Sequence, residues 1–380
     1  MTEFASRQSA TQGGQTPLVR LRDAPRTLDM LFCGALAWGL PERYWESFLR
    51  MYAHYVTRGN KARTAKHIRL LKQMFGSRFD SARRLNIVYN REYHATRTIF
   101  YRMRENAPYR WAPIIHVDGY QHIEEALSYG RGAILWDGRF AYGSVVTKKG
   151  LGRLGVRPHH LSRPSHVDMG SLYARKVLSP IFLRVETRNL TERIVLSANS
   201  ALASSHDVAT LMALLQQLRA NEVVSITVGQ RAMQTITIPL FGCRIKLATG
   251  PISLALSSGA PLLPIFTVRN AAGEYKVTIE RPLDLAGGGD HRAKIEAAAH
   301  DYATRLAPYA LEYVDQYDLF RESAVEPIED GKPHGTPSEG TPEETEPSQG
   351  VAAESEPAGG EPETGEPTEV RNPKRQNCPG

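Results

Sequence analysis

Short apolar runs that end at glycine or at a polar residue alternate along this chain with segments whose apolar residues recur at helical spacing. The runs at 132–136, 222–228 and 261–268 are compact, and the second is β-branched. Such runs are typical of strands that are buried on both faces of a sheet. Residues 206–219 repeat apolar positions every three or four residues, as an amphipathic helix does. Together these patterns predict an α/β fold.

The remaining elements follow from the same patterns. Residues 41–106 and 292–309 carry apolar residues at helical spacing and predict helices. Residues 274–279 alternate between apolar and polar positions and predict an edge strand. The apolar run at 28–40 contains two glycines and is followed by a proline. It predicts a buried or interfacial helix that is too short to cross a bilayer.

Composition divides the chain into four parts. Residues 1–25 are polar and predict a flexible N-terminus, and residues 26–110 predict a basic helical part. Residues 111–321 hold the strand-like runs and form the predicted α/β core. Residues 322–380 are rich in proline, glutamate and glycine and nearly lack large apolar side chains, which predicts a disordered acidic tail.

The net charge of +7 conceals a division between the core and the tail. Residues 321–380 hold 5 basic and 14 acidic residues, so residues 1–320 hold 42 basic and 26 acidic residues and carry a net charge of +16. A field of this sign attracts phosphate-bearing partners such as nucleic acid, anionic lipid or an acyl donor borne on a nucleotide or an acidic carrier. Simple solubility is the alternative explanation.

A dense series of basic residues with interleaved aromatic residues extends over 58–104. This mixture suits contact with a phosphate backbone or with an anionic membrane surface, although a solvated helical face gives the same pattern. The residues that we expect to bind the phosphates of a donor such as tRNA are Arg63, Lys66, Arg69, Lys72, Arg83 and Arg84.

Polar residues follow the first buried run directly. Asp137 and Arg139 come immediately after the run at 132–136, and Tyr142 follows. Ligands of open α/β sheets gather just beyond the carboxyl ends of the strands. These three residues are therefore candidates for catalysis. The alternative for Asp137 is a structural role, because aspartate is favoured as the cap of a following helix.

A second polar segment follows the run at 222–228. Gln230 and Arg231 lie there and are the other two catalytic candidates, since they could hold a carbonyl oxygen or a donor phosphate. Four further residues lie in loops or at strand ends, where they could contact a substrate. The candidates for substrate binding are Arg163, His166, Arg244 and Thr249. A lone histidine in a loop is more often simply solvated.

The three cysteines are widely spaced and odd in number. They give no disulfide framework and no spacing typical of a metal site, which favours a reducing, cytoplasmic environment. We found no basic n-region with a cleavage site, so a signal peptide is not expected either. The sequence therefore predicts a cytoplasmic protein and gives no reason to expect a cofactor.

Four segments in a fixed order resemble the bacterial lysophospholipid-acyltransferase-like family, and more narrowly its lipid A lauroyl/myristoyl acyltransferase branch. They read G-R-G-A-I-L-W at 130–136, L-Q-Q-L-R-A-N-E-V-V-S-I-T-V-G-Q at 215–230, I-P-L-F-G at 238–242 and A-T-G-P-I-S-L-A-L-S-S-G-A-P-L-L-P-I-F at 248–266. The last two are the most specific. The resemblance extends over roughly residues 60–320 and implies a mixed central sheet flanked by helices, with an acyl-transfer pocket.

The departures from the family fall on its catalytic residues. In that family a histidine follows the first strand and acts as the general base, and an acidic residue five positions on orients it. The corresponding positions here are Asp137 and Tyr142, and the acidic residue that often precedes the glutamine of the second polar segment is replaced by Gly229. The N-terminal membrane-spanning helix usual in the lipid A branch is also missing. The mechanism of the family therefore does not transfer to these positions.

Three hypotheses fit this combination. In the first, the acceptor is an amine or hydroxylamine, which needs a base less, and the donor is aminoacyl-tRNA; this resembles the tRNA-dependent aminoacyl transferases of natural-product (antibiotic) biosynthesis. In the second, a peripheral lipid acyltransferase moves a fatty acyl group from an acyl thioester to a glycolipid or lysophospholipid, with a relocated base such as His159, His160 or His166. In the third, the protein binds lipid or nucleic acid without turnover.

Overall fold

The computed structural model describes residues 17–21, 23–162, 171–195, 203–228, 234–318 and 326–327. Residues 326–327 are the described part of the predicted acidic tail, and they form a short strand where the sequence predicted disorder. The rest of that tail and most of the predicted flexible N-terminus lie outside the described residues. So do four of the candidate site residues, which are Arg163, His166, Gln230 and Arg231.

The strands of the described residues form two sheets. They are β1 (Ile115–Asp118), β2 (Ala133–Asp137), β3 (His159–Ser162), β4 (Glu192–Val195), β5 (Val223–Thr227), β6 (Thr235–Leu240), β7 (Cys243–Ala248), β8 (Leu262–Arg269), β9 (Tyr275–Ile279) and β10 (Glu326–Pro327). The central sheet has the order β1-β9-β8-β2-β5-β3-β4, and β10, β7 and β6 form the smaller sheet. In the central sheet β8 and β9 are antiparallel and the other neighbours are parallel. The predicted mixed central sheet is confirmed.

Helices surround the central sheet. They are α1 (Asp23–Gly39), α2 (Glu42–Gly59), α3 (Lys61–Phe75), α4 (Ser81–Arg104), α5 (Tyr120–Ser128), α6 (Lys148–Arg153), α7 (Ser179–Thr187), α8 (Ala203–Arg219), α9 (Gly250–Ser258) and α10 (His291–Glu312). The first four form the helical N-terminal part. A π-helical turn, Gly143–Thr147, leads from the region after β2 into α6.

The sheet separates two apolar cores, and β2 contributes to both. Ile134 and Trp136 point to one core, where Trp136 packs on Tyr302 of α10 with ring centroids 4.0 Å apart. Ala133 and Leu135 point to the other core, which α1, α2 and α4 help to cover. All five residues of β2 are buried. This double burial explains why the run at 132–136 is apolar at every position.

Two strands differ from the sequence expectation. The alternating segment 274–279 is not an edge strand, because β9 pairs with β8 on one side and with β1 on the other. Its polar positions are tolerated because Lys276 is half exposed and pairs with Asp118 at 3.0 Å. The edge strand β4 was not predicted, since two of its four residues are charged. The packing of each segment against its neighbours, and not its own pattern of apolar residues, decides where β9 and β4 lie in the sheet.

The parallel strands align their carboxyl ends, and this alignment positions the candidate site. Asp137, the last residue of β2, lies opposite Thr227 of β5. Ser162, the last residue of β3, lies opposite Val195 of β4. The polar residues Asp137, Thr227 and Ser162, which end three of these strands, therefore lie along one edge of the sheet.

Candidate active site

Asp137 lies at the carboxyl end of β2 and is 2% exposed. Its Oδ1 is buried and has no hydrogen-bond partner among the residues that the structure describes. The carboxylate lies against the backbone of Gly143, where a Cβ atom would approach Oδ1 to 3.2 Å. The helical turn that begins at Gly143 receives no side-chain cap. Asp137 is thus a buried acid beside a helix start and does not cap that helix.

A buried charge cluster lies on the same face of the sheet and is centred on Glu186 of α7. Glu186 Oε1 forms an ion pair with Nη2 of Arg102 on α4 at 2.7 Å. Its Oε2 lies 3.3 Å from Lys148 of α6 and 2.9 Å from Arg193 of β4. Arg102 also donates to Ser144 at 2.8 Å. We call Glu186, Arg102, Lys148 and Arg193 the Glu186 cluster.

Polar residues of three adjacent strands line the sheet beneath this cluster. Leu135 of β2, Ser225 of β5, His160 of β3 and Arg193 of β4 form one cross-strand row. His160 Nδ1 lies 2.9 Å from Ser225 Oγ. The inner strands of parallel sheets are normally apolar on both faces. The polar row is therefore a local departure from the pattern of the fold, of the kind expected at functional sites.

Burial and the cluster set the protonation of these groups. Burial raises the pKa of Asp137 to about 7, with Lys148 opposing the rise and Glu186 adding to it. Burial lowers the pKa of Lys148, and the two carboxylates oppose that fall. Burial alone would raise the pKa of Glu186, but Lys148, Arg102 and Arg193 outweigh it and hold the pKa below its usual range. Near neutral pH, Asp137 can take up or release a proton while Glu186 stays ionised.

Tyr142 is fully buried and belongs to a second polar network. Its hydroxyl lies 2.6 Å from Nδ1 of His94 on α4. His94 Nε2 lies 3.8 Å from Asp315, which also accepts a hydrogen bond from Asn90 at 3.0 Å. Burial lowers the pKa of His94 despite the proximity of Asp315. A histidine and a carboxylate are thus brought together here by the fold, at positions that the sequence did not single out.

Arg139 lies between Asp137 and Tyr142 in the chain and is partly exposed. Its carbonyl accepts the Asp318 amide at 2.8 Å, and the amide of Ala141 donates to Gln316 at 2.7 Å. The segment 316–318 therefore fixes the backbone that follows β2. No hydrogen bond or ion pair joins the Arg139 guanidinium to another residue within the described part of the chain.

The candidate phosphate-binding residues differ in their surroundings. Lys66, Arg69 and Lys72 are exposed on α3, and Arg83 is exposed at the start of α4. Arg63 is paired with the buried Glu92 at 2.9 Å. Arg84, the sixth candidate, donates hydrogen bonds to the backbone carbonyls of Phe79 and Gly76. Four of the six thus have exposed side chains, and two have an evident structural partner.

The remaining described candidates lie on the side of the smaller sheet. Arg244 is exposed on β7, opposite Pro239 of β6. Thr249 is buried just before α9, and its amide donates to Gln234 at 3.2 Å. The hairpin of β6 and β7 reaches the end of α3, because the Gly242 amide donates to the Met74 carbonyl at 2.9 Å. Arg244 therefore lies two residues from this contact with the basic helix α3.

Sequence reasoning missed most of the Glu186 cluster. Lys148, Glu186 and Arg193 come from two helices and one strand and belong to no motif or spacing. Arg102 belongs to the basic series at 58–104, which predicts a surface that contacts phosphate, membrane or solvent, whereas its side chain is only 12% exposed. His160 was considered as a relocated base, and it lies in the polar row. No signal in the sequence marks these residues as partners of one carboxylate, because ion pairs between elements have no characteristic spacing.

One comparison with known protein families supports an acyl-transfer enzyme. The model of the bacterial lipid A biosynthesis acyltransferase family matches residues 184–314, which include Glu186 and Arg193 but not Asp137. This match supports an acyltransferase-like family and, with it, acyltransferase as the class of enzyme. None of the proteins with curated descriptions matches the chain.

Among solved structures, the chain is similar to the 1-acyl-sn-glycerophosphate (LPA) acyltransferase PlsC from Thermotoga maritima. The two are 11% identical, and the similarity covers 76% of this chain and 97% of PlsC with a TM-score of 0.32. A TM-score this low supports no conclusion about a shared activity. None of the helices in the part of the chain that the structure describes combines the length and the hydrophobicity of a membrane span.

Proposed function

We propose that this protein transfers an aminoacyl group from aminoacyl-tRNA to the nitrogen of an amine or hydroxylamine, a reaction of natural-product (antibiotic) biosynthesis. The observation that carries the proposal is Asp137, a buried acid with a pKa of about 7 at the carboxyl end of β2. It occupies the position at which the family that the sequence resembles has its histidine base. An acid with a pKa near neutrality can serve as a general base at that place.

The proposed reaction is an attack of the acceptor nitrogen on the ester carbonyl of the donor. A carbon–nitrogen bond forms, the ester carbon–oxygen bond breaks, and the terminal ribose of the tRNA leaves with that oxygen. Ionised Asp137 accepts the proton that the nitrogen loses, and the proton then passes to the leaving ribose oxygen. A neutral amine or hydroxylamine already presents its lone pair for attack. It therefore depends less on proton removal by a base than a hydroxyl acceptor does.

Lys148 supports this role of Asp137. The two side chains interact electrostatically, and both are 2% exposed. A cation beside the carboxylate favours its ionised form, whereas burial favours the protonated form. The balance leaves Asp137 able to change its protonation during a reaction cycle. Glu186 in turn pairs with Lys148 at 3.3 Å and fixes the position of its ammonium group.

The exposed basic face of α3 supports a polyanionic donor. Lys66, Arg69 and Lys72 lie on successive turns of one helix and have exposed side chains. Phosphate backbones are bound chiefly through such cations, with the release of counterions. The exposed Arg83 of α4 extends the same surface. We call these four residues the α3 basic face.

The test is a transfer assay with the purified full chain, a mixture of labelled aminoacyl-tRNAs and hydroxylamine as the acceptor. We expect labelled amino acid to be converted to its hydroxamate at a rate that Asp137→Asn lowers at least about a hundredfold, as loss of a general base does. Wild-type rates with the Asp137→Asn variant would exclude Asp137 as the base. Rates equal to those without enzyme would exclude aminoacyl transfer to nitrogen.

A second candidate function is lipid acylation, and one surface favours it. Exposed apolar side chains lie along α1, among them Leu28, Leu31 and Phe32, which are between 53% and 66% exposed. Phe32 contacts Phe48 of α2, whose neighbour on the helix, Met51, is 64% exposed. An apolar helix face of this kind lies readily in the interface of a bilayer. The matched family model favours the same candidate.

Vesicle binding separates the two candidates. In the lipid hypothesis the wild-type chain binds anionic vesicles, uses an acyl thioester as donor, and loses both properties in the double variant Leu31→Ser, Phe32→Ser. In the aminoacyl hypothesis that variant retains transfer from aminoacyl-tRNA. Binding to tRNA or to vesicles without any transfer would favour a protein that binds without turnover.

A further inference from the structure

Arg193 has two nitrogens without a hydrogen-bond partner among the described residues. Its Nη2 donates to Glu186 Oε2 at 2.9 Å, but its Nε and Nη1 are buried and unpaired within that part of the chain. Buried guanidinium nitrogens without partners are unusual, because each leaves a desolvation cost uncompensated. Ser162 Oγ, at the end of the adjacent strand β3, is also buried and has no partner in the residues that the structure describes. Unused donors on neighbouring strands suit an acceptor group supplied by a ligand.

The charges of the site indicate that this acceptor is an anion. Arg102, Lys148 and Arg193 surround the single carboxylate of Glu186. Asp137 is the other acid that acts on this cluster, and with a pKa of about 7 it is only partly ionised near neutral pH. Buried charges are stable when each is paired, and here positive charge exceeds negative charge. One further negative group would balance the site.

We propose that the Glu186 cluster binds an oxyanion, a carboxylate or a phosphate, which Arg193 and Ser162 hold on the face of the sheet that also carries Asp137. A guanidinium presents parallel N–H donors that match the two oxygens of such a group. The side chains of Arg193 and Arg102 are 13% and 12% exposed, so these two arginines are the members of the cluster with the most contact to solvent. That this anion belongs to a substrate rests on the proposed function; the binding itself does not. The acceptor or the donor then carries an acidic group in addition to its reacting atoms.

The proposal is tested by equilibrium binding to the full chain, with no turnover required. Inorganic phosphate and acetate are the probes, titrated against sodium chloride at matched ionic strength and followed by thermal unfolding and calorimetry. We expect a saturable rise in Tm with phosphate or acetate that chloride does not give. A stronger response to acetate identifies a carboxylate, and a stronger response to phosphate identifies a phosphate.

Two variants assign the binding to Arg193. We expect Arg193→Gln to weaken binding of the oxyanion about tenfold or more, as the loss of a charge-assisted hydrogen bond does. Arg193→Lys retains the positive charge beside Glu186 but lacks the planar guanidinium group. We therefore expect it to weaken binding of the oxyanion as well. Arg184→Gln is the control, because Arg184 is exposed on α7. It is expected to bind as the wild type does.

Two results would overturn the proposal. One is a response to phosphate and acetate no greater than the response to chloride. The other is wild-type affinity in Arg193→Lys, which would place the oxyanion elsewhere. If the oxyanion binds as predicted and no transfer from aminoacyl-tRNA is observed, the proposed function fails while the anion site stands.

Discussion

The hydroxyl of Tyr142 lies 2.6 Å from Nδ1 of His94, although 48 residues separate the two in the chain. The contact joins the segment after β2 to the long helix α4. Thr98 of α4 adds a hydrogen bond to the Ala141 carbonyl at 3.2 Å. The N-terminal helices therefore help to fix the backbone that carries the catalytic candidates, and they do so through buried polar groups.

Tyr142→Phe should destabilise the fold. The variant removes the hydroxyl and leaves His94 Nδ1 buried without a partner, which costs about 1–3 kcal/mol. The free energy of unfolding is measured by chemical denaturation. Tyr129→Phe is the control, because Tyr129 is 59% exposed and its hydroxyl pairs with a surface glutamate. Equal effects of the two substitutions would show that the buried contact with His94 contributes no stability.

Asp137→Asn should stabilise the protein in a pH-dependent way. The folded state holds the Asp137 proton up to a pKa of about 7, whereas the unfolded state loses it near 3.8. Stability is therefore lost as pH rises from about 4 to about 7, because the unfolded chain ionises while the folded chain does not. The variant removes this loss, which is of the order of a few kcal/mol above pH 7. At pH 4 the two proteins should be similar in stability.

Denaturation curves at pH 4, 6 and 8 test this prediction. The difference between Asp137→Asn and the wild type should grow with pH. Asp284→Asn, a substitution at an exposed aspartate, should show no such trend. A difference that stays constant across the three pH values would mean that the pKa of Asp137 is not raised by folding.

The rate of transfer should depend on the same ionisation of Asp137, but it should rise with pH where the stability falls. A general base must be unprotonated, so the rate of transfer should rise with pH through about 7. Hydroxylamine itself becomes more fully neutral as pH rises in the lower part of this range, so the rate at each pH is divided by the concentration of neutral hydroxylamine. The measurement is the rate against pH in the wild type, with the Asp284→Asn variant as the control. A rate that is flat between pH 6 and pH 8 contradicts the assignment.

Reversing charge on the α3 basic face should weaken binding of tRNA. We expect the triple variant Lys66→Glu, Arg69→Glu, Lys72→Glu to bind tRNA at least about tenfold more weakly at low salt and to flatten the dependence of log Kd on log salt, since each lost phosphate contact removes about 0.7–0.9 from the slope. Binding is followed by fluorescence anisotropy over a salt series.

A matched triple variant controls for net charge. Arg175→Glu, Lys176→Glu and Arg292→Glu make the same total change at exposed residues of other elements. If the binding is local to α3, this control retains most of the affinity and the salt slope. Equal losses in the two triple variants would indicate a general effect of net charge and no specific role for α3.

The sequence predicts the elements that form the centre of the sheet. The run at 132–136 is apolar at every position because β2 is buried on both faces, and it ends where Asp137 meets the edge of the sheet. The position of Asp137 could therefore be inferred without a structure. The strand β9 was placed wrongly at an edge, because alternation in a strand reports the burial of its side chains and not the number of its neighbours.

The Glu186 cluster could not be inferred from sequence. Its members lie on α4, α6, α7 and β4, and only the fold brings them within 3.3 Å of one carboxylate. The same holds for His94 and Asp315, which are separated by more than 200 residues. A charged residue in a strand or a helix does not indicate its partner, because the residues of an ion pair between two elements have no characteristic separation in the sequence. Such contacts follow only from the three-dimensional fold.

The most direct test of the central claim is transfer of labelled amino acid from aminoacyl-tRNA to hydroxylamine by the full chain, compared between the wild type and Asp137→Asn at pH 8. The account predicts formation of the amino acid hydroxamate by the wild type and its loss in the variant, which should remain folded and be at least as stable. Transfer by both proteins at the same rate, or by neither, would contradict it.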